Sequence, residues 1–167
     1  RWPSLPLTSI APRHAGLSAG HFLADGDLVV QRALAAGCAP DIVLCDPNRA
    51  TTFGDQVTRR GGQICVASTE IRRDVTGLGV PLDAIGIFHR PVAARAEELM
   101  DTCGRLLVLD CIDNPSNIGA ILRTAVALGW DGVLLDTPSA DPLSRRALRF
   151  SMGTALKILF ARVDDTA

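Results

Sequence analysis

The residues best suited to chemistry lie in one stretch, Asp113-Asn114-Pro115-Ser116-Asn117-Ile118-Gly119-Ala120-Ile121-Leu122-Arg123-Thr124-Ala125. Pro115 suits the start of a helix and Ser116 its cap. Asn117, Ile118 and Gly119 then occupy a first turn whose backbone N–H groups lack intrahelical partners. Such a turn can receive an anion or a polar ligand. Arg123 follows Ser116 by seven residues and Gly119 by four, which returns it to their face, while Ile118, Ile121, Leu122, Ala125 and Leu128 form the apolar side. A guanidinium held over a glycine leaves room for a phosphate or a ribose. The same spacing also describes a capped helix with one surface arginine, and spacing alone does not separate the two readings. Arg145, Arg146 and Arg149 place three cations within five positions. They suit either the phosphates of a nucleic acid or pairing with Asp136 and Asp141 on a solvated helix. Arg59-Arg60 and Arg72-Arg73 read as solvated helix faces.

Other chemistries find little support. His14, His21 and His89 lack ligand spacing and read as capping or surface residues. The five cysteines, Cys38, Cys45, Cys65, Cys103 and Cys111, form no CxxC pair and no Cys/His cluster, so neither a metal site nor a disulfide framework is expected. No Gly-x-Gly-x-x-Gly follows a strand, and no Ser-His-Asp or Cys-His arrangement precedes Asp113. Seventeen Lys plus Arg against eighteen Asp plus Glu give a net charge of −1, so any contact with nucleic acid must be local. The arginine-rich usage, with Lys157 the only lysine, reads as genome bias. Free cysteines beside aliphatic residues, and no apolar run near the ~20 residues of a membrane span, predict a cytoplasmic protein with no membrane partner. The opening Arg1-Trp2-Pro3-Ser4 is neither a signal peptide nor an initiation site, so the chain is expected to begin mid-protein or after trimming.

The 167 residues suffice for one ordinary domain or two small ones, and 47% hydrophobic residues mark a globular chain. The first two dozen residues, with Pro3, Pro6, Pro12, Gly16 and Gly20, read as an extended lead-in. Asp25 and Asp27 supply capping and first-turn carboxylates to a helix stopped by Gly37. Strands at 41–45, 64–67 and 84–88, with helices near 53–60 and after Ser68, indicate an α/β sandwich. A helix within 91–101 joins the units. Beyond it the strand from Leu106, the helix from about Ser116 to Leu128 and the strand 132–136 form a parallel β-α-β unit, followed by a basic helix and a strand over 156–163. The expected domains are 1–92, a linker helix 93–104, and 105–167.

The run from Asn114 to Ala125, continued by Ala127-Leu128-Gly129-Trp130-Asp131-Gly132-Val133-Leu134-Leu135, resembles the first signature motif of the SpoU (TrmH-like) RNA 2′-O-methyltransferases of the SPOUT superfamily. Ser139 to Thr154 resembles the family's next segment. Gly20-His21-Phe22-Leu23-Ala24-Asp25-Gly26 through Gly37 is similar to the substrate-binding domain that often precedes the catalytic one, with Asp25 where Glu is usual. The resemblance implies a small ribosomal-protein-like α/β sandwich followed by the first half of a Rossmann-like trefoil-knot domain. It also implies methyl transfer from S-adenosyl-L-methionine to a ribose 2′-hydroxyl of tRNA or rRNA. Asn117 and Arg123 would be catalytic. Ser116, Gly119, Arg145, Arg146, Arg149, Ser151 and Gly153 would contact RNA, with Ser151-Met152-Gly153 in the floor of the cleft. The family's later Gly-Asn-Glu-type and Ser-Leu-Asn-Val-type segments, which supply the knot, most of the cofactor pocket and the homodimer interface, are absent before Ala167. This chain is therefore expected to bind the methyl donor poorly and to be inactive alone. The competing reading is a non-catalytic RNA-binding module.

Overall fold

The structure, a computed structural model, describes residues 20–163. The expected lead-in over 1–19, His14 included, lies outside the described residues. The chain divides into two compact units, meeting between Arg90 and Pro91.

The first unit runs β1 (His21–Asp25), α1 (Asp27–Ala35), β2 (Pro40–Cys45), α2 (Pro47–Arg59), β3 (Gln63–Val66), α3 (Thr69–Thr76) and β4 (Ala84–His89). Its sheet has the order β1-β4-β2-β3, with β4 antiparallel to both neighbours and β2 parallel to β3. Strand β1 corrects the lead-in: His21–Asp25 is paired along its whole length with β4, and Phe22 stacks on Phe88 at 5.5 Å between ring centroids. The cap of α1 is Gly26 at φ 91 with no side-chain bond, while Asp25 is buried at the strand's end and Asp27 sits in the first turn. Helix α2 starts six residues earlier than the Phe53 of the sequence reading, because Asp46 accepts the Arg49 N–H at 2.8 Å and Pro47 opens the helix. Ser68 caps α3 as expected. Leu23, Ile42, Leu44, Ile85 and Ile87 form one face of the core, with Val75 of α3 packed against it.

Arg72 is not on a solvated face. It is buried, and its guanidinium donates to the carbonyls of Ala67 and Leu82 and to Thr69 Oγ1 while pairing with Asp83 at 3.8 Å. It ties both ends of α3 to the loops that flank it. His21 and His89, facing each other across β1 and β4, bring their rings to 4.4 Å.

The second unit contains α4 (Ala96–Thr102), β5 (Leu106–Leu109), α5 (Pro115–Ala127), β6 (Gly132–Asp136), α6 (Arg145–Phe150), a 3₁₀ turn over Thr154–Lys157 and β7 (Leu159–Val163). The strands are parallel in the order β5-β6-β7. Both crossovers step the same way across the sheet, so right-handed connection puts α5 and α6 on one face. The helix expected as a linker over 93–104 is shorter and belongs to this unit. Its Leu99 is fully buried with Leu134 and Ala161. Val133 and Leu135, which alternate with Leu134 along β6, are buried too, and serve the opposite face.

Candidate functional site

Helix α5 begins at the carboxyl end of β5, the end of a parallel sheet where ligands gather. Asn114, not Ser116, is its cap. Asn114 Oδ1 accepts the Ser116 N–H at 2.9 Å, and the Asn114 carbonyl accepts the N–H groups of Asn117 and Ile118 at 3.0 and 3.1 Å. Pro115 has no N–H to offer. The open helix end of the sequence reading is thus closed by its own cap, and any anion here must be held by side chains.

Asn117 and Arg123 are both exposed. Six residues of helix separate them by about 120° around the axis and about 9 Å along it, so they flank the exposed face rather than share it. Arg123 instead lies within about 20° of Ser116 and 40° of Gly119. No hydrogen bond or ion pair holds its guanidinium among the described residues.

Gly119 is buried rather than bare. A Cβ there would lie 2.8 Å from Phe150 Cβ and 3.0 Å from Ser151 N, and closer still to the Ala147 carbonyl oxygen. Its missing side chain lets α6 pack onto α5, and it offers no surface to a ligand. Ser151 and Gly153 are likewise interior. The Ser151 hydroxyl donates to the Leu148 carbonyl at 3.1 Å, and Gly153, at φ 80, starts the 3₁₀ turn. These three residues support the α5–α6 contact rather than line a cleft.

Ser144 caps α6 through the Ala147 N–H. Arg146 reaches across to α5, where its Nε donates to Ser116 Oγ at 2.7 Å, and its guanidinium lies over the Phe150 ring at 5.8 Å from the centroid. Arg149 is exposed and Arg145 half-buried. The sequence carries no Asp or Glu over 114–130 or 142–163, whereas Arg123, Arg145, Arg146, Arg149, Lys157 and Arg162 fall there. Phe150, the last residue of α6, is 46% exposed, which helix spacing alone does not reveal.

The loops after β5 and β6 are stitched together beside this helix. Asp136 accepts the N–H groups of Cys111 at 2.8 Å and Ser139 at 3.0 Å, and Ser139 Oγ accepts that of Ile112 at 3.0 Å. Bonding from the Ser139 hydroxyl, and then from Cys111, holds the Asp136 carboxyl down at about 2. The Cys111 thiol donates to Asp110 and Asp136 and is pushed up to about 11. The ligand atoms of Asp110, Cys111 and Asp136 lie within 4.8 Å of one another, a grouping that sequence spacing concealed because Asp136 arrives from the next strand. These atoms already bond one another and nearby amides.

A shallow groove of about 360 Å³ lies along α5, lined by Leu107, Ala120, Ile121, Thr124, Ala125, Leu128 and Trp130. It is apolar apart from Thr124 and the indole N–H of Trp130, and the Thr124 hydroxyl already donates to the Ala120 carbonyl.

The α/β fold, with its parallel β-α-β-α-β unit, matches that of solved methyltransferases of the SPOUT class. The sequence pattern of the SpoU rRNA Methylase family matches residues 104–167. An uncharacterized tRNA/rRNA methyltransferase of Mycobacterium bovis is 32% identical over 143 residues, 86% of this chain and 50% of its own. The 23S rRNA (guanosine(2553)-2′-O)-methyltransferase RlmP of Bacillus subtilis is 30% identical over 142 residues, 84% of this chain and 54% of its own. The AdoMet-bound rRNA methyltransferase of Sinorhizobium meliloti superposes with a TM-score of 0.77 at 27% identity, covering 87% of this chain and 55% of that one. Residues 104–167 thus match the SpoU methylase family, and the chain spans about half the length of the curated relatives it matches.

S-adenosyl-L-methionine needs polar partners for its adenine, ribose hydroxyls and amino-acid head. The groove along α5 does not provide them, so that groove is not by itself the cofactor's pocket.

Proposed function

We propose that this chain is the substrate-side part of an S-adenosyl-L-methionine-dependent methyltransferase that acts on a ribose 2′-hydroxyl of ribosomal or transfer RNA. The observation that carries the reading is Arg123, an exposed guanidinium with no carboxylate partner, on a segment free of acidic residues within the SpoU-matching region. The names of the relatives support the RNA substrate, and that of RlmP supports the 2′-oxygen.

Arg123 is protonated at any working pH and cannot serve as a conventional base. Its charge anchors a phosphate beside the target ribose and offsets the negative charge that develops on the 2′-oxygen as its proton leaves. Asn117, on the other flank of α5, offers an amide donor and acceptor to the nucleotide. Arg146 and Arg149 extend the cationic surface along the strand's backbone.

The test is methyl transfer from labelled S-adenosyl-L-methionine by the full-length protein to total RNA, followed by nucleoside analysis. The expected product is a 2′-O-methylated nucleoside whose phosphodiester survives alkali. A methylated base, or no transfer to RNA, overturns the proposal.

A further inference from the structure

We propose that Phe150 is a stacking platform for one base of single-stranded RNA, set beside the cations of α5 and α6. The proposal rests on the RNA reading above and adds to it a residue with no charge and no hydrogen-bonding group.

Phenylalanine usually ends in a core, yet Phe150 leaves 46% of its surface to water, and Met152 beside it leaves 40%. The exposure does not come from a loose segment. The Ser151 N–H donates to the Ala147 carbonyl and the Gly153 N–H to the Leu148 carbonyl, both at 2.8 Å. On the other side, Phe150 Cβ rests against α5 at the one position, Gly119, that has no side chain to push it away. The backbone is fixed and the ring is presented.

The surroundings select the occupant. Arg146, anchored on Ser116 Oγ, holds its planar cation 5.8 Å from the ring centroid, within cation–π reach. Arg149 precedes Phe150, and the sequence over 142–163 carries no Asp or Glu. An exposed aromatic face beside the anchored Arg146 cation suits a polyanion with flat apolar groups, in which phosphates meet the guanidinium and a base covers the ring. An apolar protein partner would gain nothing from that charge. Since every base has a π-face, the ring sets the register of the strand rather than its sequence.

The experiment measures fluorescence anisotropy of a fluorescein-labelled 12-nucleotide single-stranded RNA of mixed sequence with the full-length protein. Phe150→Ala is expected to weaken binding roughly 5- to 150-fold, the range for losing one base–aromatic stack. Phe150→Trp restores the affinity, which also shows that the site still folds. Phe150→Leu, apolar but without a π-face, stays weak. Leucine binding as well as phenylalanine, or alanine binding as well as wild type, overturns the stacking role. So does an alanine variant that changes the sedimentation of the protein but not its RNA affinity, which would place the ring in a protein contact. Failure of the wild-type protein to bind the oligonucleotide at all would refute the RNA reading itself.

Discussion

Among the described residues two glycines, Gly54 and Gly119, lie inside helices, and replacing each by alanine should move stability in opposite directions. At Gly54 in α2 an added Cβ meets nothing within 4 Å, so Gly54→Ala removes only backbone freedom from the unfolded chain and adds a better helix former. The expected gain is about 0.5–1 kcal/mol. At Gly119 in α5 the same methyl would sit 2.8 Å from Phe150 Cβ, where carbon atoms prefer about 3.5–4.0 Å, and the Ala147 carbonyl blocks it as well. Because the obstacle is backbone, α6 must retreat by about 1 Å, and overpacking of this kind costs about 1–3 kcal/mol. Offset by the ~1 kcal/mol helical preference of alanine, the net loss is up to about 2 kcal/mol. Since the chain has two units, the readout is hydrogen exchange by mass spectrometry under native conditions, following peptides of α2 for one variant and of α5 and α6 for the other. Protection of α5 and α6 that rises in Gly119→Ala, as it rises for α2 in Gly54→Ala, would refute the close-approach argument.

Arg72→Leu keeps much of the volume but leaves the Ala67 and Leu82 carbonyls without their donor, so the first unit should lose about 2–4 kcal/mol in urea titrations. Folding lowers the Asp136 carboxyl from 3.8 to about 2, so its stabilisation is complete above about pH 4 and fades as pH falls toward 2. Asp136→Asn should remove that part of the acid sensitivity of the second unit, read by hydrogen exchange between pH 2 and 5. The Cys111 thiol, held at about 11 against 9.0, should react with iodoacetamide at pH 8 about 100-fold more slowly than an ordinary exposed thiol, and Asp136→Asn should speed it. Its raised value stabilises the fold below about pH 9 and ceases to do so as pH rises through 11.

The strand–helix alternation was legible because each element announces itself locally. Aliphatic runs such as Val133-Leu134-Leu135 mark strands, and Ser68 marks a helix start. What escaped reading depends on partners distant in sequence. Strand β1 was hidden because its pairing is with β4, more than sixty residues away, and a Pro- and Gly-rich stretch precedes it. Arg72 looks like any helix-surface cation until the loops at both ends of α3 fold around it. Asn114 outcompeted Ser116 as cap because the proline between them starts the first turn two residues earlier. Gly119, Ser151 and Gly153 resemble ligand-facing small residues, but their size serves the α5–α6 contact. Arg123 is exposed, although the Gly119 whose face its spacing shares is buried under α6.

The central claim is that the Arg123 charge acts on the reacting ribose as well as on the strand. Arg123→Ala in the full-length protein separates the two when the single-turnover methylation rate and the RNA dissociation constant are measured on one substrate. The expected result is a rate lower by roughly 100- to 1,000-fold with a dissociation constant raised by no more than about tenfold. Equal losses in both would contradict it, and so would a rate unchanged at saturating RNA.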